Sequence, residues 1–331
     1  MGMGRNLTGV VVVVTGASSG IGRATGLAFA RQGTRVVLAG RRADALEELA
    51  RDCEAVGGQA LAVPTDVTDE AAMAELARRA VEGFGRLDVW VNNAGVYQLG
   101  SLEATPPEAF RRVLEVNFFG YVHGTRAVLP RFREQGHGVL INNASVYSHV
   151  GAPWLSAYVS SKFAVRGFSE ALRQELDDLP DVHVCTVSPS PIDTPIFASA
   201  ANYTGRAAKA PPPTYPPEQV ARAIVASALR PKRERIVGGV GRQLALLEAV
   251  APRLFERVNR RYVDALQFTG EPAPATDGNL YAPSPDSRAQ TRGGWRRRPD
   301  PPIAVRRLVA AGLLAAGSLA VARIINRSGR S

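Results

Sequence analysis

Short β-branched runs alternate with longer stretches of helical periodicity from residue 9 to about 190. The runs at 10–14, 35–39, 60–63, 88–91, 138–142, 182–187 and 235–237 are brief and bounded by turn residues, which predicts strands buried on both faces. Between and after them, segments near 20–32, 43–56, 69–83, 107–134, 157–178, 217–230 and 241–266 carry the helical pattern. This alternation predicts an α/β fold of βαβ units, with right-handed crossovers building a doubly wound parallel sheet of about seven strands. In such a sheet the ligand crevice opens at the carboxyl ends of the strands.

The pattern stops after Thr269. Prolines at 272, 274, 283, 285, 299, 301 and 302 punctuate a polar stretch without apolar periodicity, so 271–302 is expected to be a linker and not a packed element. Beyond it lies a 15-residue run without charge, 308–322, framed by Arg306, Arg307 and Arg323. The chain thus divides into a catalytic-sized domain over 1–270, a Pro-rich linker over 271–302 and an apolar helix over 303–325. A bilayer span takes about 20 residues, and 303–325 reaches 23 if its arginines snorkel to the interfaces. The helix is read as a membrane-associated anchor, the alternative being a helix docked on the protein or on a second subunit.

Composition narrows the picture. With 45% hydrophobic and 21% charged residues the chain can bury a sizeable core, which excludes wholesale disorder. Of the net charge of +10, a balance of +6 falls from residue 271 onward, where ten Arg face four acids. That tail suits an anionic membrane surface, whereas nucleic-acid binding would call for interleaved aromatics, of which it offers only Trp295. No nucleic-acid partner is expected. Cys53 and Cys185 lie far apart with no metal-ligand spacing around them, so reduced core thiols and no metal site are expected. The apolar run at 10–14 is too short for a secretory signal, and the protein is expected in the cytoplasm or on the cytoplasmic face of a membrane.

The first strand runs into Thr15-Gly16-Ala17-Ser18-Ser19-Gly20-Ile21-Gly22, and a helix begins at once. Glycines at this junction let the backbone approach a ligand, and a dinucleotide pyrophosphate on the helix N-terminus is the physical reading. A tight strand-to-helix turn alone would also use glycines, but the strand before and helix after favour phosphate binding. After the second strand, where an NAD enzyme places a carboxylate for the ribose 2′-hydroxyl, the chain has Gly40-Arg41-Arg42. Two guanidiniums match a 2′-phosphate in charge and fork geometry, so NADP(H) is the expected cofactor.

Tyr158 and Lys162 are four residues apart on a helical segment and share a face. A neighbouring cation would lower the phenol pKa toward general-acid range. Ser145, thirteen residues earlier and just after a strand, stands at the carboxyl end of the sheet, where its hydroxyl can hold a carbonyl oxygen.

Together the glycine turn, Asn92-Asn93-Ala94-Gly95, Asn117, Ser145, Tyr158-x-x-x-Lys162 and Ser188-Pro189 resemble the ordered motifs of the short-chain dehydrogenase/reductase family, over about 7–240. The resemblance implies a Rossmann-type domain in which Tyr158 protonates the carbonyl, Ser145 orients it, Lys162 also binds the nicotinamide ribose, and Asn117 anchors a water in a proton relay. It further implies that Asp66 and Val67 contact adenine, Asn93 the adenosine ribose region, and Ile192 and Thr194 the carboxamide, in a homo-oligomer. One departure stands out: Pro189-Ser190-Pro191 replaces the family's usual Pro-Gly, which puts the nicotinamide-side geometry in question. Between Asp193 and Pro217, a long segment bears Phe197, Tyr203 and Tyr215, which either face an apolar small-molecule substrate or pack on the body. The expected function is carbonyl or alcohol oxidoreduction. The alternative is an idle NADPH-binding scaffold at a membrane, for which an intact Asn117, Ser145, Tyr158 and Lys162 set has no physical need.

Overall fold

All seven apolar runs pair into one parallel sheet, as their burial requires. The strands are β1 (Val11–Thr15), β2 (Arg35–Gly40), β3 (Gln59–Pro64), β4 (Val89–Asn92), β5 (Gly138–Asn143), β6 (Val182–Pro189) and β7 (Glu234–Val237), in the spatial order β7-β6-β5-β4-β1-β2-β3. A computed structural model of the chain describes residues 6–284 and 289–297. The order reverses between β1 and β4, and there the crevice opens. Every apolar residue of β1 is fully buried, because helices cover both faces of the sheet.

Helix ends follow local chemistry. Among the helices flanking the sheet are α1 (Gly20–Ala30), α2 (Ala43–Ala55) and α3 (Glu70–Phe84). The Asp69 carboxylate accepts the Ala72 N–H at 3.0 Å to start α3, and Gly85 in the left-handed region (φ 78°) ends it. The single helix expected over 107–134 is instead α4 (Pro107–Leu114), a π-turn (Glu115–Phe119) and α5 (Gly120–Gln135). The wide turn accommodates Asn117, whose amide is drawn off to the backbone of Val96. After α6 (Ser156–Glu175) and α7 (Pro217–Leu229), the helix expected over 241–266 is split into α8 (Gly239–Val250) and α9 (Pro252–Leu266). Pro252 has no N–H to continue the ladder.

Parts of the stretch 271–302, expected to be a linker, dock on the body of the protein. Phe268–Pro272 pairs antiparallel with Arg206–Ala208, and Thr276 exchanges backbone hydrogen bonds with Asn202 at 2.8 and 3.0 Å. Leu280 is fully buried. A segment that docks through its backbone and one apolar anchor leaves no periodicity to read. The apolar stretch 303–325 lies outside the described residues, among which no helix is long and apolar enough to cross a membrane. Cys53 and Cys185 are buried free thiols.

Candidate active site

The glycine turn lies flat against the end of β4. Gly16 has φ 65°, and a Cβ there would stand 2.7 Å from the Ala94 Cα, so nothing larger fits without moving backbone. The Thr15 hydroxyl accepts the N–H groups of Asn93 and Ala94 at 3.0 and 3.1 Å. In return Asn93 Nδ2 donates to the Thr15 carbonyl at 2.8 Å, while its Oδ1 accepts from Asn143 at 2.9 Å. The side chain of Asn93 is therefore a clamp on the turn. At the start of α1, Ser19, Gly20, Ile21 and Gly22 line the cleft, and the Gly20 N–H donates to the Gln290 carbonyl at 2.9 Å.

At the other side of that turn, Arg41 and Arg42 are half-buried. Burial, first, depresses both guanidinium pKa values, helped by Arg112 and Arg42 at Arg41 and by Arg23 at Arg42. Arg41 donates to the backbone carbonyls of Asn279 at 2.7 Å and Leu280 at 3.5 Å, and Arg42 donates to the Ser18 carbonyl at 3.1 Å. The hydrogen-bond acceptors of Arg41 are neutral carbonyls, while the Asp66 carboxylate nearby favours its charge. Asp66 stays a carboxylate: burial works to raise it, but the N–H and hydroxyl of Thr68, with Arg112 and Arg41, hold it below its usual value. Val67 is buried against Gly120.

Tyr158 and Lys162 occupy one face of α6, as their spacing predicts, and are 8% and 4% exposed. Ser145 lines the same cleft, and its hydroxyl accepts the Tyr147 N–H at 3.1 Å. Lys162 Nζ lies 5.6 Å from the Tyr158 ring centroid, 5.3 Å from that of Tyr121, and donates to the Asn143 carbonyl at 3.1 Å. One expectation is corrected here. Burial pushes the Tyr158 hydroxyl up to about 12, against the pull of Ser145, where the sequence predicts a lowered phenol. The same burial brings Lys162 down to about 7, which weakens the very cation that was to oppose it.

Every candidate residue lines a single cleft except Asn117. Asn117 is fully buried behind it, accepting the Val96 N–H at 2.8 Å and donating to the Val96 carbonyl at 3.0 Å and Ser161 Oγ at 3.1 Å.

The short chain dehydrogenase family model matches residues 10–204, more than half of the chain. The protein belongs to that family. It is 36% identical over 298 residues to an uncharacterized oxidoreductase, YxnA, of Bacillus subtilis, covering 88% of this chain and 84% of the relative. A short chain dehydrogenase/reductase of Burkholderia phymatum in complex with NAD superposes with a TM-score of 0.68 at 26% identity, over 76% of this chain and 96% of its own. An alcohol dehydrogenase of Thermococcus sibiricus complexed with 5-hydroxy-NADP does so at 0.60 and 29%, over 69% and 95%. As a member of the family the protein is an oxidoreductase with a nucleotide crevice of the Rossmann kind.

Sequence reading missed several residues that this short chain dehydrogenase brings to the cleft. Tyr97 sits edge-on to Tyr158 at 4.7 Å and to Phe197 at 5.3 Å, and Tyr147 stands 6.3 Å from Tyr158. Of the three loop aromatics, only Phe197 reaches this wall; Tyr215 pairs with Ile192, and the Tyr203 hydroxyl donates to Asp277 at 2.6 Å. No periodicity marks Tyr97 or Tyr147, whose only signal is that each follows a strand end. Ser190 proves to be a helix cap at a distance: its hydroxyl accepts the Gly241 N–H at 3.2 Å at the start of α8 and donates to the Gly238 carbonyl at 3.4 Å. A glycine there would give up both bonds. Ile192 and Thr194 follow directly, joined by a Thr194 N–H to Ile192 carbonyl bond of 2.8 Å.

Proposed function

We propose that this dehydrogenase transfers hydride between the nicotinamide of NADP(H) and a carbonyl or secondary alcohol of an apolar small molecule. The observation that carries the proposal is the Tyr158 side chain, walled by Tyr97, Tyr147 and Phe197 and lining one cleft with Ser145, Lys162 and the glycine turn. When bound, the cofactor supplies or accepts the hydride. A phenol with its pKa near 12 is neutral at pH 7, so Tyr158 holds a proton for the carbonyl oxygen in the reductive direction. Ser145 orients that oxygen by a hydrogen bond. Lys162 gains charge beside an anionic dinucleotide, and its ammonium then favours the phenolate left by proton transfer.

The cradle fits such a cofactor. Gly16 and Gly22 let the turn pack against Ala94 and on itself, so that Ser18, Ser19, Gly20 and Ile21 line the pyrophosphate end, and Ile192 and Thr194 line the carboxamide end. Arg41 and Arg42 favour the 2′-phosphate, with Asp66 and Val67 at the adenine. Asn117 and Asn93 act as positioning residues, Asn117 by tying the π-turn to the Val96 backbone.

The test is NADPH oxidation across aldehydes, ketosteroids, acyl ketones and quinones, repeated with Tyr158→Phe. Turnover of the variant should fall by about 10²–10⁴-fold with NADPH binding retained. Undiminished turnover would sink the mechanism. For the Arg-flanked stretch 303–325 we keep the anchor reading, supported by its composition alone. A chain ending at residue 300 should leave the membrane fraction, and unchanged fractionation would discredit the anchor.

A further inference from the structure

Beyond the residues matched by the family model, the described parts of 277–297 run along the whole length of the cofactor cleft. At the adenosine end, the carbonyls of Asn279 and Leu280 take the Arg41 guanidinium, and Leu280 also accepts from Arg112 Nε at 3.1 Å. At the pyrophosphate turn, the Gln290 carbonyl accepts the Gly20 N–H at 2.9 Å. At the nicotinamide end, the Trp295 N–H donates to Asp193 Oδ1 at 2.8 Å and its indole N–H to the Thr194 carbonyl at 2.9 Å. The indole ring meets Phe197 edge-on at 6.1 Å. Gly293 passes so close that a Cβ would overlap the Thr194 carbonyl oxygen.

One polar atom on this strap points to a ligand. Asn279 lines the cleft, and its Oδ1 is buried without a hydrogen-bond partner among the described residues. A buried amide oxygen left unsatisfied is costly, and an adenine amino group or a ribose hydroxyl would satisfy it.

We infer that residues 277–284 and 289–297 form the outer wall of the cofactor site, with Asn279 contacting the adenosine moiety and Trp295 positioning the loop that carries Thr194 and Phe197 over the nicotinamide. The inference rests on the NADP(H) reading above and adds two residues to it. Asn279 supplies the acceptor on the adenosine side. Trp295 touches no reacting atom; it fixes the loop backbone through Asp193 and Thr194, so its loss loosens the nucleotide without removing a contact to it.

Two measurements on the full chain decide the matter. Amide hydrogen exchange, followed with and without NADPH, should slow in peptides covering 277–284 and 289–297 together with those covering 15–22. Unchanged exchange in the strap while 15–22 is protected would overturn the inference and leave the cofactor reading standing. Faster exchange in the strap on adding NADPH would mean that it competes with the nucleotide, which also overturns it. A chain that binds no NADPH overturns both. In stopped-flow displacement by excess NADP⁺, Trp295→Phe keeps the ring but loses the indole donor, and Asn279→Leu loses the acceptor. Each should speed NADPH release about threefold to tenfold, the worth of one hydrogen bond. Melting temperatures near that of the parent chain with release unchanged would show a merely structural segment and overturn the inference.

Discussion

Lys162 is brought to about 7 by burial alone, so near neutrality its charge is decided by what enters the cleft. An anionic dinucleotide favours the ammonium, so NADPH binding at pH 8 should take up as much as about one proton. Calorimetry in buffers of different ionisation enthalpy measures that uptake, and Lys162→Met should remove it. The same shift affects stability. The unfolded side chain keeps its proton to its usual 10.5 and the folded one only to about 7, so the folded state gains as pH rises from 7 toward 10.5. Denaturation of the Lys162→Met chain should lack that rise. On the proposed NADP(H) reading, Arg41 and Arg42 discriminate between cofactors by charge. Replacing both with Ala should weaken NADPH by about tenfold or more relative to NADH. Because Arg41 also holds two strap carbonyls, the ratio of the two affinities is the quantity to measure.

At the scale of elements, most of what the hydrophobic pattern predicts is found: the seven strands agree to within a residue or two because each is a short buried run closed by a turn. The glycine turn and the Tyr158–Lys162 face were legible for a related reason, since both are set by spacing within a few residues. The breaks at Asn117 and Pro252 were not. The first depends on a bond to Val96, 21 residues away, and the second was masked by apolar periodicity continuing across the proline. Tyr97 and Trp295 escape sequence reading because only tertiary packing brings them to the site, Trp295 across 101 residues to Thr194. Ser190 belongs here too, joining the end of β6 to the start of α8. Ser190→Ala should fray the first turn of α8 and cost about 0.5–1.5 kcal/mol in denaturant unfolding. An unchanged unfolding midpoint would show that its two bonds carry no stability.

Over the whole molecule, the sheet supplies a rigid floor whose switch point aligns Thr15, Asn93 and Asn143 through direct hydrogen bonds, while the reactive groups arrive on α6 and on loops. The C-terminal segment then reaches back over this floor, joining Asn279 to Arg41 across 238 residues. Closing so large a loop costs little more than closing one of half the length, about 0.6 kcal/mol per doubling. Sequence distance is therefore no obstacle to docking, but timing is affected. The β1–β2–β3 unit and α1 are built from near neighbours and can assemble first, whereas the strap must wait for its dock to exist. It rests on few apolar anchors, Leu280 foremost, so it should also be the first part to detach under denaturant. Cofactor grip is then lost at a lower concentration than the sheet itself, and unfolding followed by bound NADPH should precede unfolding followed by helical circular dichroism.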